Sequence, residues 1–585
     1  MTAAPSVVGV LGAGTMGGGI AQLACLAGAR TLLHDPVPEA LVRGAEALRR
    51  NLDKGAERGR WSASDAEAAA ARLEPVDSLE ALAPCELVIE AAPERLDLKR
   101  ELYARLSEIV TAECVIATNT SSLPVTALAA AATHPERVVG MHFFNPAPLM
   151  ALLEVVAGEE SGERPLALAR ATGEAMGKVV IDAADGPGFL VNRVNRPFGL
   201  EALRLVTDRI ATVEQVDRIC RLGGGFRMGP FELQDLVGVD VGFDVARSFY
   251  EQSFGEPRWR PSMLSARMVA AGRTGRKAGR GWYDYRDGPH RPEDPEPPAV
   301  TGPAGVATGA GADTAAAGAD PATGADAAAG ASAAAGAEDT PAAGADTAAG
   351  ASAAATPLVV IAGDTPLAHA LAEQAAAAGW DPRPPTGAQG EVPFLILDCG
   401  ADEDDPPLQG GPQAICLHDG SLAALDPGGG AVGFHALPPL RPGGLVELTR
   451  GPDSLDAAAT AAERFFASLG LHAAWVGDAP GLVLGRIVCQ LANEAAFAVG
   501  EGVGTAADVD AGLVHGMNHP RGVLGWADEI GLHHVLSVLD ALRDETGEER
   551  YRAAPLLRSL VLSGRLGRAT GEGFFRYDED ASAPA

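Results

Sequence analysis

Two groups of residues in this chain have types and spacings suited to chemistry. The first is His142, in the run Gly140-Met-His-Phe-Phe, with Glu154 twelve residues further on across a short loop into a strand. An imidazole with an ordinary pKa of ~6.5 can take up and release a proton near neutral pH. A carboxylate bonded to its other ring nitrogen would fix the tautomer and stabilise the imidazolium. The second group is the turn Gly12-Ala13-Gly14-Thr15-Met16-Gly17. In a GxGxxG turn the first glycine permits the tight bend and the second lets backbone approach a pyrophosphate. The third lets helix and strand pack closely, with the helix N-terminus facing the phosphates. Asp35 follows 21 residues after Gly14, where a carboxylate accepts hydrogen bonds from an adenosine ribose and repels a 2′-phosphate, favouring NAD over NADP.

Elements must place these residues. Val7 to Leu11 reads as a short buried strand, Gly17 to Ala29 as a helix and Thr31 to Asp35 as a second strand. Further strand signals fall at Leu87–Ala91, Val115–Thr118, Val138–Met141 and Leu152–Val156, with helical stretches between. That alternation predicts a doubly wound α/β sheet, a Rossmann domain over 1–184. After Gly188 the pattern turns helical and predicts an all-α domain over 185–286.

The chain has 585 residues, enough for several domains. Its net charge is −31 and no stretch concentrates Lys or Arg, which speaks against a nucleic-acid partner. Seven scattered cysteines without CxxC spacing read as reduced core thiols, not as a disulfide framework or a metal site. No run of ~18 apolar residues suggests a membrane span. No basic residue precedes Arg30, so the signal-peptide pattern is missing and a cytoplasmic protein is expected.

Ala299 to Thr356 is almost wholly Ala, Gly, Asp, Thr, Ser and Pro. The region 287–356 is therefore expected to be a disordered tether. On either side of it lies a repeat. His142 and Glu154 match His435 and Glu447; Asp185-Gly-Pro-Gly matches Asp478-Ala-Pro-Gly; Gly229 matches Gly522 and Asp235 matches Asp528, all 293 residues apart. A constant offset over such a length means duplication. The second copy, 357–477 and 478–585, is expected to be a degenerate Rossmann-like domain followed by a second helical domain.

The motif set is diagnostic. GAGTMGGGIA, VIEAAPE (Val88 to Glu94), NTSSL (Asn119 to Leu123), GMHFFNPAPLM (Gly140 to Met150), DGPGFLVNR (Asp185 to Arg193), GPFELQDLVG (Gly229 to Gly238) and GRKAGRGWYDY (Gly275 to Tyr285) occur in this order. In these motifs residues 5–286 resemble the 3-hydroxyacyl-CoA dehydrogenase family. The tandem layout is similar to the subgroup that acts on 3-hydroxyadipyl-CoA in phenylacetate degradation. The resemblance implies an NAD cofactor, an acyl-CoA substrate and oxidation of a secondary alcohol. It implies His142 as the general base, Glu154 as its partner, Ser121 holding the substrate oxygen and Asn192 polarising the forming carbonyl. It places Glu94, Lys99, Asn119, Asn145 and Lys277 around the cofactor. The basic stretch Arg49, Arg50, Lys54 and Arg58 is a candidate for the CoA phosphates. A dicarboxylyl acyl chain would need a cation at its far end, for which Arg193, Arg196 and Arg227 are the candidates.

The second copy should not transfer hydride. Its turn has become Ala362-Gly363-Asp364-Thr365-Pro366, Gly485 stands where Asn192 would, and Pro438 stands where Asn145 would. Because family members pair through their helical domains, the two helical domains are expected to pack together as a built-in pseudo-dimer, with further pairing of whole chains left open. The competing readings are another β-hydroxyacid dehydrogenase and a non-catalytic NAD-binding scaffold.

Overall fold

A computed structural model describes residues 2–307, 356–400 and 410–577. The first half opens with an eight-stranded sheet: β1 Val7–Leu11, β2 Arg30–His34, β3 Leu73–Val76, β4 Leu87–Glu90, β5 Val115–Thr118, β6 Val138–Phe143, β7 Leu152–Ala157 and β8 Val179–Ala184. The order is β3-β2-β1-β4-β5-β6-β7-β8. All pairs are parallel except β6 with β7. The inner strands are apolar runs because helices cover both faces of a parallel sheet. Strand order reverses between β1 and β4, the crevice where doubly wound sheets bind dinucleotides. β3 and β8 were not read from the sequence. In β8 the exposed Val179 and Asp182 break up the apolar run.

From Val191 onward the first half is helical, with a capping box at Thr212 and Gln215 opening the helix Val213–Leu222. The second half repeats the plan in seven strands: β9 Leu358–Ala362, β10 Asp381–Arg383, β11 Leu395–Asp398, β12 Gln413–Cys416, β13 Val432–His435, β14 Leu445–Arg450 and β15 His472–Trp475. Their order is β10-β9-β11-β12-β13-β14-β15, again with one antiparallel pair, β13 with β14. The first half inserts helices Pro38–Glu57 and Ala63–Ala71 between β2 and β3. In the second half only the 3-10 turn Pro385–Gly387 separates β10 from β11. The capping box recurs at Thr505 and Asp508.

The helical segments of both halves share one apolar core, in which Val194, Phe198 and Leu203 join Ile487, Val488 and Leu491. Polar contacts between them are reciprocal. Arg193 bonds Glu494 at 2.8 Å and Glu501 at 2.7 Å, while Arg486 bonds Glu201 at 2.7 Å and Asp208 at 3.5 Å. Ala184 N–H donates to Val503 O at 2.8 Å, and Gly477 N–H donates to Ile210 O at 2.7 Å. Each partner differs from its counterpart by the repeat offset of 293. A contact made twice, with roles exchanged, is the mark of a two-fold relation.

Residues 287–307, expected within the disordered segment, are described and make specific contacts. His290 bonds Glu232 at 2.9 Å, Asp294 pairs with Arg221 at 2.8 Å, and Gly302–Ala307 forms a short helix. Thr301 N–H donates to Ser468 O across the halves. The rest of that expectation, 308–355, lies outside the described residues.

Candidate active site

β6 and β7 set His142 directly opposite Glu154. The antiparallel pairing converts a separation of twelve residues into side-by-side side chains. His142 Nδ1 lies 2.6 Å from Glu154 Oε2. Glu154 is wholly buried and His142 nearly so. The other carboxylate oxygen, Oε1, accepts the backbone N–H groups of Leu190 at 3.2 Å and Val191 at 2.9 Å. Those amides are aimed by Phe189, which takes φ 53°, a conformation that L side chains rarely adopt. Its ring, with that of Phe144, flanks the imidazole, at centroid distances of 5.6 and 4.7 Å. The carboxylate is thus fixed from both sides, and it leaves Nε2 as the imidazole nitrogen available for proton exchange. Nothing in the sequence pointed to the Phe189 turn.

Ser121 and Asn192 both line a cavity of about 470 Å³ between the sheet and the helical domain. Its remaining wall is mostly apolar and includes Leu203, Val241 and Val245. Met517, from the second half, also lines it. Beside it, His519 Nε2 lies 2.9 Å from Asn195 Oδ1. The residue Ser121 is held by its backbone N–H, which donates to Glu94 Oε1 at 3.0 Å; Ser122 N–H and Oγ donate to the same oxygen.

Lys99, which the resemblance placed at the cofactor, has a side chain only 1% exposed, with Nζ 3.0 Å from Glu90 and 2.9 Å from Glu94. It lies beneath the site and holds Glu94, which in turn holds the Ser121 loop. Burial works to raise the pKa of Glu94, but Lys99 and the Thr120 hydroxyl together bring it below the ordinary carboxylate value. Asn119 Oδ1 accepts Phe143 N–H at 2.9 Å, so it ties β5 to the strand carrying His142. Asn145 is exposed beside the site. Lys277 stands on the helical domain, half exposed, with Nζ 2.7 Å from Asp240; to touch a cofactor it would have to leave that carboxylate.

The glycine turn fits a dinucleotide. Gly12 has φ 96°, and a Cβ there would meet Ala91 O at 2.6 Å; a Cβ on Gly17 would meet Gly12 O at 1.8 Å. A Cβ on Gly14 would meet nothing within 4 Å, so its outer side is open. Helix Thr15–Leu26 starts at Gly14 with no side-chain cap, which leaves its first N–H groups, including those of Thr15, Met16 and Gly17, to serve an anion. Asp35, just past β2, receives the Ala13 N–H at 2.8 Å.

A second cavity, of about 540 Å³, lies between helices Thr15–Leu26 and Pro38–Glu57 and reaches Ala13, Gly14 and Thr15 of the glycine turn at one end. Of the four basic residues expected at the CoA phosphates, Lys54 and Arg58 line it, joined by Arg43 and Arg60, which the sequence reading missed. Arg49 and Arg50 do not line it, and Arg50 pairs with Glu46. This wall belongs to the insertion that the second half lacks.

The corresponding residues of the second half make a different site. His435 still faces Glu447 across the strands, yet the two are not bonded. His435 Nε2 lies 3.1 Å from His534 Nε2, and its Nδ1 is buried without a partner. A Cβ on Gly485 would fall 2.3 Å from the His435 ring, so the ring occupies the space an asparagine would need. Burial, with His418 nearby, lowers the His435 pKa to about 3, and burial raises Glu447 to about 8. The helix after Gly363 is capped by Thr365, whose hydroxyl accepts Ala368 N–H at 3.1 Å, so a side chain serves the helix N-terminus that the first half leaves uncapped. Among the described residues there is no cluster of His, Cys, Asp and Glu able to hold a metal, and no helix is long and apolar enough to cross a membrane.

Comparison with known proteins agrees with this layout. Residues 7–186 match the family description "3-hydroxyacyl-CoA dehydrogenase, NAD binding domain". The description "3-hydroxyacyl-CoA dehydrogenase, C-terminal domain" matches twice, at 188–285 and 481–577. The 3-hydroxyadipyl-CoA dehydrogenase of Escherichia coli (strain K12) is 32% identical over 95% of this chain and 97% of its own length. A probable 3-hydroxybutyryl-CoA dehydrogenase of Deinococcus radiodurans is 39% identical over 47% of this chain and 99% of its own length. A crystal structure of an Escherichia coli K12 3-hydroxybutyryl-CoA dehydrogenase, 30% identical, covers 96% of this chain and 100% of its own with a TM-score of 0.73. The chain belongs to the 3-hydroxyacyl-CoA dehydrogenase family and is an NAD-dependent oxidoreductase acting on a CH–OH group.

Proposed function

We propose that hydride transfer takes place in the first half alone, with His142 as the proton-transfer group. Bound NAD⁺ supplies the hydride acceptor; the chain's own residues handle the proton and the oxygen. Ser121 Oγ and the Asn192 amide bracket the substrate hydroxyl at one end of the cavity they line. His142 Nε2 takes the hydroxyl proton, and Glu154 stabilises the resulting imidazolium through Nδ1. In the reducing direction the same imidazolium returns the proton. The observation that carries this reading is the 2.6 Å His142–Glu154 bond, set against its loss between His435 and Glu447.

The CoA phosphates are assigned to Arg43, Lys54, Arg58 and Arg60, a local cationic wall in an acidic protein. The relative that spans both halves is named a 3-hydroxyadipyl-CoA dehydrogenase, and an acyl chain ending in a carboxylate is proposed as the preferred substrate here. The halves are proposed to act as an intramolecular pseudo-dimer, for which the reciprocal Arg193–Glu494 and Arg486–Glu201 pairs speak. A protease site placed within 308–355 of the full chain tests this. The cut protein should elute as one species of full-chain mass, and two separate species would contradict it.

The activity is tested by NADH formation from (S)-3-hydroxybutyryl-CoA against free 3-hydroxybutyrate. Turnover should require the CoA ester. Equal rates on the free acid would point instead to another β-hydroxyacid dehydrogenase.

A further inference from the structure

From the substrate cavity we infer that Arg196 is the specificity-determining residue for the far end of the acyl chain, where its guanidinium receives a terminal carboxylate. This rests on the reading of the first half as the working dehydrogenase site.

The three arginines named from the sequence differ sharply in the structure. Arg193 is already engaged, its guanidinium held by Glu494 and Glu501. Arg227 is exposed and does not line the cavity. Arg196 lines it, and among the described lining residues it is the only cation. It makes no ion pair with the described residues. Its Nε donates to Asn192 O at 3.2 Å, and its head lies over the Phe249 ring, 5.2 Å from the centroid. The two terminal nitrogens make no hydrogen bond to the described residues and are the part left to meet a ligand. The one carboxylate lining the same cavity, Glu94, is taken by Lys99.

A guanidinium kept without a counter-ion among apolar walls costs free energy, and burial lowers its pKa to about 10. An anionic ligand would remove that penalty. The rigid fork of arginine matches a carboxylate with two parallel hydrogen bonds. Position supports the same reading. Arg196 follows Asn192 by four residues across the junction at Asn195, where helix Val191–Val194 gives way to helix Arg196–Thr207, and its Nε reaches back to Asn192 O. Asn192 stands at the reacting carbon, so a short methylene spacer brings an ω-carboxylate to Arg196. A chain ending in methyl would leave the cation unpaired.

The test compares 3-hydroxyadipyl-CoA with 3-hydroxyhexanoyl-CoA, which have the same chain length and differ in carboxylate against methyl. Wild-type kcat/KM should favour the dicarboxylyl ester. In Arg196→Met the ratio of the two kcat/KM values should fall by on the order of 10²-fold or more, as expected when one partner of a desolvated charge pair is removed. Arg196→Lys, which keeps the charge but loses the fork, should give an intermediate ratio. A wild-type preference for the methyl-terminated ester overturns the inference without recourse to any variant. So does a ratio that Arg196→Met leaves within a few-fold of wild type. (S)-3-Hydroxybutyryl-CoA, too short to reach Arg196, separates the two levels. If wild type oxidises it while the six-carbon esters do not differ, the Arg196 assignment fails and the dehydrogenase reading stands. If none of the three esters is oxidised, both fail.

Discussion

Replacing Glu154 by glutamine probes the His142 pair while changing little in volume. The wild-type carboxylate accepts three hydrogen bonds: Leu190 N–H and Val191 N–H at Oε1, and His142 Nδ1 at Oε2. Glutamine has one acceptor oxygen and one NH₂ group, and neither orientation serves all three. With the oxygen on the backbone amides, the NH₂ faces Nδ1, which must then accept, so the imidazole proton moves to Nε2. That tautomer cannot take a proton from the substrate at Nε2. With the amide reversed, NH₂ confronts two backbone donors at a fully buried position, leaving them unsatisfied. The loss of an orienting carboxylate with correct geometry otherwise retained costs ~10³–10⁴-fold in turnover, or ~4–5.5 kcal/mol of transition-state stabilisation. The assay is NADH-dependent reduction of acetoacetyl-CoA, with NADH binding followed separately by fluorescence. The expected pattern is a collapse of kcat with KM and NADH affinity near wild type, because neither the glycine turn nor the basic cavity touches Glu154. A loss below ~10-fold would refute the reasoning, since even modest proton-transfer assistance exceeds that.

Further outcomes follow from other parts of the structure. Glu447 is buried without an imidazole partner and its pKa is raised to about 8, so the folded state holds a proton that the unfolded chain has released. Stability should therefore fall as pH rises from about 4.5 to about 8, with this group contributing a slope of up to ~1.4 kcal/mol per pH unit. Glu447→Gln should flatten that decline in urea unfolding, and an unaltered slope would contradict it. Arg486→Met removes a fully buried guanidinium that binds Glu201 across the halves and Tyr551 within its own half. Arg204 remains on Glu201, so the loss should be near the lower end of the ~3–5 kcal/mol seen when a buried pair is broken, read as a lower urea midpoint. Lys54→Glu with Arg58→Glu should raise KM for acetoacetyl-CoA by an order of magnitude or more and leave NADH affinity unchanged; a matching loss of NADH affinity would assign that cavity to the dinucleotide.

Much of this was legible in the sequence because it depends on local rules. Apolar runs spaced by helical stretches set the parallel sheet, and the spacing of Gly12, Gly14, Gly17 and Asp35 set the dinucleotide crevice. The constant offset of 293 revealed the duplication. Periodicity cannot see what contact decides. The resemblance puts Lys99 at the cofactor, yet its buried ammonium is held by Glu90 at the end of β4 and by Glu94 just after it. Arg43 and Arg60 become a cavity wall only when the inserted helices fold back on the glycine-turn helix. Residues 287–307 look like tether by composition, but Asp294 and His290 find partners in the helical domain. The second site was read as inactive from missing residues. At that site His435 fills the space beside Gly485 and turns from Glu447 to His534, an arrangement set by contacts that the sequence does not display.

The claim that one of two homologous histidines does the chemistry is open to a paired measurement. Turnover of acetoacetyl-CoA with NADH should fall by at least ~10³-fold in His142→Gln, in line with removal of a proton-transfer group whose partners act as a unit. In His435→Gln it should stay within a few-fold of wild type. Substantial activity retained by His142→Gln, or an equal loss in His435→Gln, would contradict the assignment of hydride transfer to the first half.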